Sequence, residues 1–85
     1  MMKFSIITPS YNMLSYLKLC HMSIKDQDYL DSEHIVIDAN STDETKSWLN
    51  GEKIRYISKE DEGMYDAINK GLSMARGEII SYLNC

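Results

Sequence analysis

The stretch HIVIDANSTDE, residues 34–44, decides between the fold classes open to this chain. Ile35, Val36 and Ile37 form a continuous apolar run, which fits a strand buried on both faces better than a half-solvated one. Asp38 closes the run, and Ser41 followed three residues later by Glu44 has the spacing of a capping box. A buried strand that passes directly into a helix is the repeating unit of a parallel α/β sheet.

The same unit recurs on both sides. Upstream, FSIIT (residues 4–8) is a short β-branched run stopped by Pro9, and Met13, Leu17, Cys20 and Ile24 then share one helix face that Asn12 could cap. Downstream, Thr45, Trp48 and Leu49 mark a short helix with Gly51 placed to terminate it, and IRYI (residues 54–57) gives a third strand. Asp61 precedes a helical pattern of Met64, Ile68, Leu72 and Ala75 that Gly77 ends, and EIISYL supplies a closing strand. Four strands alternating with three helices predict a parallel sheet covered by helices on both faces, with right-handed crossovers.

The chain has 85 residues, 44% hydrophobic and 26% charged, enough for one small folded domain and too apolar for a disordered one. A formal net charge of -4 and no Lys/Arg stripe exclude nucleic acid and anionic membrane as expected partners. The start, MMKFSIITPSYN, lacks the long apolar run of a signal peptide or a membrane span. Cytoplasmic location, at most peripheral at the inner face of a membrane, is the expectation, with no transmembrane segment. Cys20 and Cys85 have neither metal-ligand spacing nor a disulfide framework, so both are expected as reduced thiols.

In an open parallel sheet, ligands bind beyond the carboxyl ends of the strands, where the strand order reverses. That rule selects TPSYN, DANSTDE, SKEDEG and the terminal NC. Each has a plainer structural reading. Pro9 could simply stop a strand, Ser41 and Glu44 could simply cap a helix, and Asp61 with Gly63 could be only a helix entry. Asp38 is not required by the cap, although an Asx-turn could use it. His21 and His34 have no partners at ligand spacing and read as structural or solvated. Neither GxGxxG nor GxxxxGK[ST] is present.

Read in order, these loops resemble the amino-terminal half of a family 2 glycosyltransferase, an inverting family with the GT-A nucleotide-sugar fold. FSIITPSYN resembles the opening strand and loop of that family. HIVIDANSTDET resembles its VIDGGSTDGT pattern, and KEDEGMYDAINKGLSMARGEIISYLN its D-x-G-x-YDAMNKG, A-x-GE and FLN patterns. The likeness runs from about Lys3 to Cys85, and no single motif carries it.

The resemblance implies a three-layer Rossmann-like (GT-A) α/β domain that is incomplete, with residues 1–85 forming a single partial domain. It implies transfer of a sugar from a nucleotide-diphosphate sugar, a UDP-sugar in the first instance, to a glycan or lipid-linked acceptor in polysaccharide biosynthesis. Nucleotide-sugar-binding roles fall to Thr8, Pro9 and Tyr11 as one wall, Asp38 on the uridine side, and Asp61 with Gly63 closing the pocket. Ala39 stands where many relatives carry a second acid that contacts the base. A divalent metal, Mn or Mg, is implied, with its acidic ligands and the catalytic base expected beyond Cys85. On that reading the chain is truncated, has no catalytic or metal-binding residue of its own, is inactive alone, and is open to self-association through an uncovered sheet. A non-catalytic nucleotide- or protein-binding module is the alternative.

Overall fold

The computed structural model describes residues 3–26, 31–52, 54–60 and 64–83. Its elements are β1 (Phe4–Ser10), α1 (Leu14–Lys25), β2 (Ser32–Asp38), α2 (Thr45–Glu52), β3 (Arg55–Ser58), α3 (Met64–Met74) and β4 (Ile79–Tyr82). All four strands are parallel, in the order β3-β2-β1-β4. The chain winds outward from β1 to β3 and then α3 carries it back past β1, so the order reverses beside β1. This is the expected α/β class, with β1 extending two residues beyond FSIIT and β2 beginning two residues before His34.

β2 lies between neighbours on both edges and between helices on both faces, and every residue from Glu33 to Asp38 is buried. Its alternation sorts two cores. Ile35 and Ile37 join Ile7 and Ala67 beneath α3, whereas Val36 joins Leu17, Leu49 and Ile54 beneath α1 and α2. The inward face of α3 differs from the expected one. Leu72 is 42% exposed, and the helix instead rests on Ala67 and Gly71, with Met74 and Ala75 beside them. A Cβ on Gly71 would lie 2.5 Å from Ile7 Cγ2, so the small residues at i and i+4 let α3 sit directly on β1.

Two polar assemblies fasten the helices to the sheet. At the amino end of β2, Glu33 accepts hydrogen bonds from the Ser5 hydroxyl (2.7 Å), Arg55 Nη1 (2.6 Å) and the Arg76 N–H (2.7 Å). Burial pushes the Glu33 carboxyl up, but these donors and the Arg55 charge outweigh it and leave the carboxyl below its ordinary value. Ser5 Oγ also accepts the Gly77 N–H at 2.8 Å, and a Cβ on Gly77 would come within 2.7 Å of the Phe4 and Ser5 main chain. In mid-sheet, His34 Nε2 pairs with Thr8 Oγ1 at 2.8 Å and His34 Nδ1 with His21 Nδ1 at 2.9 Å. The two rings stack, and Trp48 meets His21 edge-on.

Several local expectations are corrected. Gly51 lies inside α2 and does not end it. Cys20 is disulfide-bonded instead of reduced. Pro9 does not stop β1, which continues through it to Ser10 with Pro9 in register with Ile37. The reason lies in direction. Ile79 donates to the Lys3 carbonyl and Leu83 to the Ile7 carbonyl, so the odd residues of β1 face β4. Proline at position 9 therefore costs β1 only the next bond toward β4, and its pairing with β2 is untouched. Of the two edge strands β4 is the more exposed, with Ile79 43%, Ile80 37% and Tyr82 46% exposed.

The glycines of α2 and α3 should respond oppositely to alanine. Gly71→Ala, forced against Ile7, should destabilise by about 1–3 kcal/mol. Gly51→Ala, with open space around its Cβ, should stabilise by about 0.5–1 kcal/mol. Thermal melts of the two variants test this, and shifts of the same sign would contradict the described packing.

Burial, with the charge that would form on His21, pushes His34 down to about 4. The folded value lies below the unfolded one, so this histidine's contribution is complete above about pH 6.5 and is lost as pH falls toward 4. Urea unfolding should weaken by on the order of 2–3 kcal/mol across that window, and His34→Gln should flatten the dependence. An unchanged slope in the variant would remove His34 as the cause.

Candidate functional site

The loops after β1, β2 and β3 leave the sheet side by side, because the register pairs Ser10 with Asp38 and Asp38 with Ser58. Asp38 is fully buried at their centre. Its Oδ2 accepts the Ser41 N–H at 2.8 Å and the Ser58 hydroxyl at 2.6 Å, and its Oδ1 accepts the Ser41 hydroxyl. Ser41 Oγ in turn accepts the Asn12 N–H at 2.9 Å, and Asn12 Oδ1 accepts the Thr42 N–H at 2.7 Å. Main-chain bonds run parallel to this chain, from Ala39 N–H to the Ser10 carbonyl (2.9 Å) and from Lys59 N–H to the Asp38 carbonyl (3.0 Å). One carboxyl thus fixes three loops.

Asn12 and Asn40 have φ of 49° and 60°, the left-handed region that asparagine tolerates better than most residues. Asn12 does not cap α1, whose cap position is Met13 without a side-chain bond, because its amide is engaged with Thr42. The capping box is likewise not formed. Ser41 serves Asp38, and α2 is capped instead by Asp43, whose Oδ1 accepts the Thr45 N–H at 3.0 Å and the Thr45 hydroxyl. That hydroxyl is the main cause of an Asp43 carboxyl lying below its ordinary value.

Above this frame opens a cleft of about 400 Å³ lined by Tyr11, Ala39, Asn40, Thr42 and Glu60. Of the residues singled out from sequence, Tyr11 lines it, 53% exposed. Asp38 lies below it, buried. Thr8 is fully buried with its hydroxyl on His34, and Pro9 is half-buried within β1, so neither is among the lining residues. Asp61 and Gly63 lie outside the described residues. Sequence reasoning picked out the loops but not Asn12, Ser41 and Ser58 as one network, nor Asn40, Thr42 and Glu60 as lining. Asn12 and Ser41 carried misleading cap signals, and Ser58 carried none. Among the described residues, no group of three or more His, Cys, Asp or Glu side chains is placed to hold a metal ion, and no helix is long and apolar enough to cross a membrane.

A polar network at the carboxyl edge of a parallel sheet, beside the point of strand reversal, is a feature of many nucleotide-binding folds. The family model described as Glycosyl transferase family 2 matches residues 5–85. The chain belongs to glycosyl transferase family 2. This family 2 chain is 37% identical over 86 residues to a PGL/p-HBAD biosynthesis glycosyltransferase of Mycobacterium bovis, covering 94% of its own length and 34% of the relative's. It is 35% identical to the GalNAc(5)-diNAcBac-PP-undecaprenol beta-1,3-glucosyltransferase of Campylobacter jejuni, covering 99% of itself and 29% of that protein. The chain therefore spans about a third of the length of these relatives. Among solved structures, S. aureus TarS in complex with UDP-GlcNAc superposes with a TM-score of 0.81 at 28% identity, over 98% of this chain and 26% of that one. Mannosyltransferase PcManGT from Pyrobaculum calidifontis, in complex with GDP-Man and Mn2+, gives 0.81 at 30% identity over 92% and 26%. The fold of the family 2 chain is the one these glycosyltransferases share.

Asp38→Asn would set an amide donor against the Ser41 or Ser58 donors inside a buried site. It should cost about 2–3 kcal/mol of stability, because a hydrogen-bonded carboxylate is replaced by a group that cannot accept all three bonds. Urea titration measures the loss. Amide exchange at Ser41 and Thr42 should accelerate together, and unchanged protection there would mean that Asp38 does not organise the loops.

Proposed function

We propose that this chain forms the donor-binding part of an inverting glycosyltransferase that takes a nucleoside-diphosphate sugar, with its base and ribose in the cleft beside Tyr11. The observation that carries the reading is the Asp38 network, which holds three strand-tip loops around that cleft at the point of strand reversal. The nucleotide-sugar complexes of TarS and PcManGT support it, since both share this fold. A base laid on the exposed Tyr11 ring gains contact area without demanding a particular base. Pro9 holds the main chain of that wall, and Asp38 acts through the loops it fixes, not by touching the ligand.

In the reaction proposed, an acceptor hydroxyl attacks the anomeric carbon as its bond to the diphosphate oxygen breaks. The configuration inverts, the hydroxyl proton passes to a base, and the nucleoside diphosphate leaves. The described residues bind and orient the donor, and among them no group of three or more His, Cys, Asp or Glu side chains is placed to hold a metal ion. The Mn2+ of the PcManGT complex is consistent with a divalent metal in the wider family, but the described residues do not fit one. The acceptor proposed is a glycan or a lipid-linked saccharide, as the name of the C. jejuni relative suggests.

Calorimetry with UDP and GDP tests the reading. The protein should bind at least one of them, and Tyr11→Ala should weaken that binding by about 1–3 kcal/mol, the usual worth of a base stacked on an aromatic ring. No binding of any nucleoside diphosphate would overturn it.

A further inference from the structure

Position 39 brings no side-chain acceptor to the cleft, and Asp38 is buried beneath it and does not line it. Asp38 is engaged by Ser41 and Ser58. Of the lining side chains, Asn40 Oδ1 accepts Lys46 Nζ at 2.8 Å, and the Thr42 hydroxyl is directed at Asn12 Oδ1 at 3.4 Å. Tyr11 offers a ring face and a hydroxyl. Among the described residues that line the cleft, Glu60 is the one that carries a carboxylate.

Its position is fixed from two sides. Asp38 pairs with Ser58, so Ala39 and Asn40 leave the sheet alongside Lys59 and Glu60. The Lys59 N–H is held by the Asp38 carbonyl at 3.0 Å, and the Glu60 carbonyl accepts Lys70 Nζ at 3.3 Å from α3. The Glu60 backbone is therefore tied to β2 on one side and α3 on the other, while its side chain is free to meet a ligand.

We propose that Glu60 is the specificity-determining acceptor for the base, reading a ring N–H flanked by a carbonyl, which is the edge that uracil presents at N3 and guanine at N1. Cytosine and adenine present a bare ring nitrogen at the corresponding place, an acceptor that a carboxylate repels. The inference rests on the donor-binding reading above and adds which side chain selects the base.

The test measures binding of UDP, GDP, CDP and ADP, together with N3-methyl-UDP and N1-methyl-GDP, to the protein and to its Glu60→Ala and Glu60→Gln variants. The substituted side chain is exposed and its main-chain bonds remain, so melting should not move. The unsubstituted protein should prefer UDP or GDP over CDP and ADP, and should lose about tenfold or more in affinity when the reading N–H is methylated, the worth of a charge-assisted hydrogen bond. In Glu60→Ala that methylation gap should close, and in Glu60→Gln the preference over CDP and ADP should fall by a similar factor. Which of the two methylated ligands opens the gap distinguishes uracil from guanine. A gap that persists in Glu60→Ala, or no gap in the unsubstituted protein, overturns the role of Glu60 while leaving donor binding intact. Failure to bind any of the four unmethylated nucleotides instead overturns the donor-binding reading, and the role of Glu60 with it.

Discussion

The Asp38 carboxyl is the constraint on which the carboxyl edge of the sheet depends. It is fully buried, and a buried carboxyl is costly unless its lone pairs are met by donors. Ser41 and Ser58 meet them, so the loops after β2 and β3 are folded by the requirement to satisfy one side chain. Asn12 then extends the constraint to β1 through Ser41. The cleft has its shape because its floor is a hydrogen-bond network in which every member has a fixed partner. A ligand entering it would meet Asn12, Ser41 and Ser58 already held in place, and would spend less of its binding free energy on ordering them.

The architecture was legible because burial on both faces leaves an unambiguous mark. Ile35 to Ile37 could hardly be anything but an interior strand once a polar loop and a helix pattern followed. What misled were residues whose chemistry serves two purposes equally well. Ser41 and Glu44 satisfy the spacing of a capping box, yet the nearer carboxyl of Asp38 claims the serine hydroxyl, and Asp43 caps α2 from two residues further on. Asn12 was the better-placed cap for α1 on paper, and its amide is instead drawn across to Thr42. Local sequence reports which bonds a side chain can make. It does not report which partner tertiary structure brings within reach.

The misread face of α3 has the same origin with a different force. Periodicity finds large apolar residues, and it favoured Leu72 over Gly71. Close packing against Ile7 rewards the absence of a side chain, so the helix turned its smallest residues inward and left Leu72 partly in water. For the candidate site, the sequence pointed to the loops at the strand tips, and the structure places Tyr11 in the lining of the cleft and Asp38 buried beneath it. The sequence could not distinguish those two roles, because burial of a strand-tip aspartate depends on serines that lie three and twenty positions away in the chain.

The Ser5–Glu33 assembly at the other end of the sheet ties residues far apart in the chain. Gly77 and Ser5 are 72 positions apart, and beside them Ile79 donates to Lys3 and Arg76 to Glu33. Fraying at the start of β1 would release the turn that leads into β4, and loss of that turn would expose the Glu33 carboxyl in β2. The first and last strands therefore open and close as one cooperative unit, and the edge strand with the most exposed apolar surface is held down by the burial of an acid two strands away.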